Sequence, residues 1–266
     1  MKIFILLLMA SLSLWAGKRI TMESVDLATN KVTTREILLD ADRLRMTDGT
    51  NSVLFLTKGG NRIVSIDGAR NQYREMDQAT IQQMGQAMQA LTSQMQAQMK
   101  NMTPEQRAAM ERMMGAVANP PGTPVVTTTY TAKGSTTVNG FRCTNYEGLR
   151  AGVKIVEMCA ATPADLKLSP ADSQVVEKLQ AFAGTVMGAV QNSPIASFIP
   201  VDRIAPTGVN GFPVQTTNFV NGNASDRLSV KSISDAALTD ADFSTGSATK
   251  VEMPAMPALD RRAKGK

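Results

Sequence analysis

Residues 20–76 read ITMESVDLATNKVTTREILLDADRLRMTDGTNSVLFLTKGGNRIVSIDGARNQYREM, and their rhythm sets the architecture. Short segments of β-branched and apolar residues are separated by Thr29-Asn30, Asp48-Gly49, Gly59-Gly60 and Asp67-Gly68, dipeptides that turn one strand back on the next. Within the segments the period is two. Leu44 and Met46 alternate with Arg43 and Arg45, and Val53, Phe55 and Ile63 continue the alternation with partial breaks. Half-polar strands of this length turn one side to a core and the other to water or a cleft. The stretch from Lys18 to Met76 therefore predicts a meander of strands.

The period then changes. Ile81, Met84, Met88, Leu91, Met95, Met99 and Met102 recur every three or four residues among Gln, Ser, Thr and Lys, the mark of a helix with one apolar stripe. Thr103-Pro104-Glu105-Gln106 signals a second helix start, and Ala108, Ala109, Met110, Met113, Met114 and Val117 follow until Asn119-Pro120-Pro121-Gly122. Residues 78–118 thus predict a helical hairpin inserted into a β chain. Strands are expected again at Val125–Ala132 and Gly134–Val138, followed by a hairpin around Gly152. Ser169-Pro170-Ala171-Asp172 is a cap signature for a helix over Pro170–Val190, broken by Asn192-Ser193-Pro194. Alternation returns at Phe212–Phe219, Arg227–Ile233 and Val251–Met253. The fold class is α+β: a mainly antiparallel sheet with amphipathic helices to cover it.

The first sixteen residues, MKIFILLLMASLSLWA, place one lysine before an apolar run too short to span a bilayer comfortably, then small residues. This is the pattern of a cleaved signal peptide over 1–16, with Leu14 an awkward residue if the cut follows Ala16. The expectation is export to the periplasm without a stable transmembrane anchor. One domain over 18–253 and a disordered basic tail over 254–266 complete the organisation. The net charge of +5 falls by one when Lys2 leaves with the leader. The basic residues are scattered except for Arg261, Arg262, Lys264 and Lys266, so no nucleic-acid partner is expected.

An oxidising compartment favours pairing of the two cysteines, Cys143 and Cys159. In FRCTNYEGLRAGVKIVEMCAA a three-residue loop Arg150-Ala151-Gly152 would set Leu149 opposite Val153 and Cys143 opposite Cys159. A structural disulfide follows, worth on the order of 3 kcal/mol. The spacing is nothing like a CxxC redox pair.

Absences narrow the chemistry. Without histidine the commonest general base and metal ligand near neutral pH is missing, and with both thiols paired no cysteine nucleophile remains. Asp40 and Asp42 are expected to share a side of a strand, and Asp240 and Asp242 offer the same spacing, but acids flanking turns are usually solvated or capping. No catalytic residue, metal site or cofactor is assigned, and the chain is read as a non-enzyme. Methionine is the unusual presence: nine of the 17 lie between Met76 and Met114. Thioethers line adaptable apolar surfaces, so Met84, Met88, Leu91, Met95, Met99, Met110, Met113 and Met114 form the candidate apolar ligand face. Packing against the sheet is the plain reading of the same stripe. A lipid- or peptide-accommodating face and Cu(I) binding by thioethers are the functional ones.

Several of these pieces together resemble a known family. Arg62-Ile63-Val64-Ser65-Ile66-Asp67 with Tyr73-Arg74-Glu75-Met76, the MTPEQRAAMERM segment at 102–113, STTVNGFRCTNYEG, IVEMCAA and ATKVEMP look like the exported bacterial domain of unknown function 4412. The resemblance runs roughly from Ile20 to Met253. It implies the fold of the periplasmic lipoprotein carrier LolA, a curved, incompletely closed antiparallel sheet wrapped around helices, with an apolar concavity able to shield an acyl chain. It transfers no binding residue. The expected role is non-enzymatic binding of lipid or lipoprotein acyl chains. The alternatives are a structural or stress-associated envelope protein gripping another protein through its Met-rich helices, and a Cu(I)-binding module. The sequence leaves the oligomeric state open.

Overall fold

In the computed structural model, which describes residues 16–100, 103, 128–190 and 208–252, the expected meander is present as six strands. They are β1 (Ala16–Asp26), β2 (Lys31–Leu39), β3 (Arg43–Asp48), β4 (Asn51–Leu56), β5 (Arg62–Asp67) and β6 (Gln72–Asp77). Helix α1 (Gln78–Lys100) follows directly. Then come β7 (Thr129–Val138), β8 (Phe141–Arg150), β9 (Val153–Ala161), helix α2 (Pro170–Val190), β10 (Phe212–Val220), β11 (Asn223–Ala237), a 3-10 turn (Asp240–Phe243) and the short β12 (Thr249–Lys250). The twelve strands form one sheet in the order β12-β6-β5-β4-β3-β2-β1-β11-β10-β9-β8-β7. It is large, curved and not closed. Every pairing is antiparallel except β12 with β6, which is parallel and makes the sheet mixed. That last contact is the reason: the chain reaches β6 from a segment that crosses the sheet, not from a hairpin.

The two faces of β1–β6 are both apolar. Ile20, Met22, Ile37, Leu39, Leu44 and Phe55 turn inward to the main core, together with Ile81 of α1 and Val175 and Phe182 of α2. Leu38, Leu54, Val64 and Ile66 turn outward to a second core, closed by Leu238 and Phe243 from the C-terminal segment. This cover explains why Leu54 is fully buried on a face expected to meet water. Arg43 and Arg45 belong to that face. The Arg43 guanidinium lies 4.2 Å from the Phe243 ring centroid and bonds Asp240 at 2.6 Å and Asp40 at 2.7 Å. Arg45 donates to the Asp242 carbonyl at 2.9 Å. Asp40 and Asp42 sit in the β2–β3 turn and Asp240 and Asp242 in the 3-10 turn, so neither carboxylate pair shares a strand face.

Helix α2 has the bounds its sequence predicts, because its start is fixed reciprocally. The Ser169 hydroxyl accepts from the Asp172 N–H at 3.1 Å, while Asp172 Oδ2 accepts from the Ser169 N–H at 3.0 Å and its hydroxyl at 2.8 Å. Asp77 caps α1, accepting from the Thr80 N–H at 2.8 Å and the Thr80 hydroxyl at 2.7 Å. These bonds, led by the backbone one, hold its carboxyl below the ordinary aspartate value. The expected leader over 1–16 apart from Ala16, which opens β1, the second arm of the helical hairpin apart from Thr103, and the expected tail over 254–266 lie outside the described residues.

The cysteines pair as expected, but not face to face. Residues Ala151 and Gly152 alone make the turn, both with positive φ (49° and 77°), so Arg150 meets Val153. A bulge then follows: Leu149 faces Lys154 and Gly148 faces Val156, leaving Ile155 unmatched. Cys159 consequently faces Asn145, and the disulfide runs diagonally to Cys143 with Cα atoms 5.5 Å apart. Gly148 is required here, since a Cβ would come within 2.4 Å of Val156.

Candidate binding face

Strand register lays out the inner face of β2–β6 in rows. The row nearest the helices is Leu39, Leu44, Phe55, Ile63 and Met76, each residue the direct cross-strand partner of the next. Side chains from α2 and the first turn of α1 sit over it. Val175 and Ile81 are almost completely buried, and the Phe182 ring packs on Phe55 with centroids 5.8 Å apart and planes tilted by 49°. Val176, Leu179 and Val186 extend this contact as partly buried side chains.

Two residues further along each strand lies the row Ile37, Met46, Val53, Ser65 and Arg74. Its cover is uneven, with Val53 and Arg74 half-buried. Ile37 is 6% exposed, whereas Met46 is 38% exposed and Ser65 lies open. The apolar inner surface therefore continues past the helices that shelter its first row.

The opposite end of the sheet curls toward the same interior. Asn139 and Gly140, both with positive φ, turn β7 into β8, and the Asn139 amide donates to the Val230 carbonyl of β11 at 2.7 Å. Three strand spacings separate β8 from β11, about 14 Å across a flat sheet, so the hairpin tip must fold over β9 and β10 to reach it. Val138 and Phe141 beside the tip pack on the main core, which also holds Cys143 and Cys159. The disulfide thus belongs to the wall of the interior.

Of the candidate ligand face, Met84 is half-buried on α1. Met88, Leu91, Met95 and Met99 continue along the α1 backbone at helical spacing from the buried Ile81, but their side chains lie outside the description. Met110, Met113 and Met114 lie outside the described residues altogether. What reading the sequence missed is the open row: the alternation in Tyr73-Arg74-Glu75-Met76 already places Arg74 on the face of Met76. The covering aromatic, Phe182, was legible as an apolar helix position but not as the contact for Phe55. Among the described residues, no helix is long and apolar enough to cross a membrane.

No protein-family profile and no curated protein sequence matches the chain. Among solved structures, it is similar to an uncharacterized conserved protein from Thermus thermophilus, with 10% identity, TM-score 0.42, and 90% of this chain and 91% of that one covered. MucB, solved in complex with MucA(peri), matches at 11% identity and TM-score 0.34 over 89% of this chain and 57% of that one. A putative outer membrane lipoprotein-sorting protein domain from Vibrio parahaemolyticus matches at 8% identity and TM-score 0.25, covering 86% and 89%. Identities this low leave no residue-to-residue correspondence across which a site could be carried.

Proposed function

We propose that the chain is a non-enzymatic binding protein of the bacterial envelope whose inner face shelters the acyl chain of a lipid or lipoprotein. The observation that carries the reading is the pair of adjacent apolar rows, the first sealed by Phe182, Val175 and Ile81 and the second running out into the open at Met46. Hydrocarbon laid along the second row removes apolar surface from water at about 25 cal/mol per Å². Movement of α2 would extend the shelter to the first row. The leader-like segment 1–16 favours the periplasm as the compartment for this work. The lack of histidine and the pairing of both thiols favour binding over catalysis.

Native mass spectrometry of the protein released gently from its own envelope tests the reading. A stoichiometric acyl-bearing mass supports it. A captured polypeptide without acyl chain, stoichiometric copper, or an empty protein whose unfolding temperature no lipid changes would refute it.

A further inference from the structure

Arg74 stands at the β6 end of the second inner row, where the apolar surface gives out beside the exposed Ser65. Its cross-strand partner is the exposed Ser65, and beyond it lie Val53 and Met46. The side chain is half-buried and its Nε is shielded from water without a hydrogen-bond partner. No ion pair with Arg74 occurs among the described residues. The two nearest acids along the strands are otherwise engaged. Glu75 points to the other face and pairs with Lys250. Asp67, one register step away on the same face as Arg74, accepts from the Arg70 N–H at 3.0 Å and pairs with its guanidinium at 3.6 Å.

A guanidinium carries five donors in a planar fork matched to an oxyanion, and a shielded donor without a partner is costly. Resting on the acyl-binding reading above, we infer that Arg74 is the head-group subsite of this face and takes an amphiphile with one anionic head, a carboxylate or a phosphate. With the head on Arg74, the first methylenes lie over Ser65, Val53 and Met46. Rows two residues apart along a strand are separated by about 7 Å, so a few carbons carry the chain to the edge of α2. The same geometry disfavours cationic heads, which would meet the guanidinium directly.

Isothermal titration of the full chain with dodecanoate, dodecyl phosphate and the uncharged dodecyl maltoside tests the inference, alongside Arg74→Gln, Arg74→Lys and the control Arg70→Gln. At least one anionic probe should bind wild type about tenfold more tightly than the uncharged one, the scale of a charge-assisted bidentate contact. Which of the two binds better separates a carboxylate source from a phosphate source, and either supports the subsite. Arg74→Gln should erase the preference by weakening the anionic probes about tenfold more than dodecyl maltoside, Arg74→Lys should keep part of it, and Arg70→Gln all of it. Equal binding of charged and uncharged probes by wild type, or a preference that survives Arg74→Gln in a variant with wild-type melting, overturns the subsite but leaves acyl binding standing. Failure of every probe to bind defeats acyl binding, and the subsite with it.

Discussion

Replacing Phe182 with alanine tests whether α2 seals the inner face in solution. Phe182 is 4% exposed and its ring rests on Phe55, itself 1% exposed, so truncation empties a space bounded by both sheet and helix. Losses for buried Phe→Ala changes run at about 3–5 kcal/mol, and the aromatic pair adds roughly 0.5–1.5 kcal/mol of coupling beyond area. Equilibrium urea unfolding should show the midpoint falling by about 1–2 M with little change in slope, given roughly 3 kcal/mol per M for a chain of this size. A double-mutant cycle with Phe55→Ala should recover the coupling. A loss under about 1 kcal/mol would refute the packing and make α2 a loosely held lid. The acyl-binding reading would then need a face already open.

Cys143→Ser/Cys159→Ser should lower stability by about 3 kcal/mol, seen as a fall in melting temperature that a reducing agent reproduces in wild type and does not add to in the variant. Arg43→Ala should cost roughly 2 kcal/mol, since it leaves the buried Asp40 without its guanidinium and strips Phe243 of its cation; hydrogen exchange should quicken over 238–250 more than elsewhere. The Asp77 carboxyl is held low by the Thr80 N–H and then by the Thr80 hydroxyl, so its folded pKa lies below its unfolded one. Its contribution is full above the unfolded value and is lost as pH falls through the folded one; the Asp77→Asn variant should flatten the acid limb of a stability–pH curve by chemical denaturation.

Local signals that agreed with one another were readable in advance. Helix α2 was legible because cap, proline and apolar stripe coincide in one segment, and each of its predicted core positions that is described is buried or half-buried. The meander was legible through its turn residues. The disulfide partners were legible, but their register was not. Alanine rarely enters the left-handed region, so Ala151 reads as a loop residue rather than half of a two-residue turn, and nothing in Lys154-Ile155-Val156 announces a bulge. Harder still was the outer core. Leu238 and Phe243 are isolated apolar residues in a polar segment, without the period that gives a helix or strand away, so nothing in the sequence announces a cover over the face of Arg43 and Arg45. The open row at Met46 and Arg74 depends on where helices stop, and that is a tertiary fact.

Strand β1 lies in the middle of the sheet, paired with β2 on one side and with β11 on the other, so that Ala16 meets Ala237. The seam joins residues separated by nearly the whole length of the chain. Contact order is correspondingly high, and such topologies fold slowly because distant segments must meet before either is rewarded. A nascent chain cannot close this seam until almost all of it has emerged. Delay of that kind leaves the edges of β1 and β9 exposed to aggregation until β10 and β11 arrive between them.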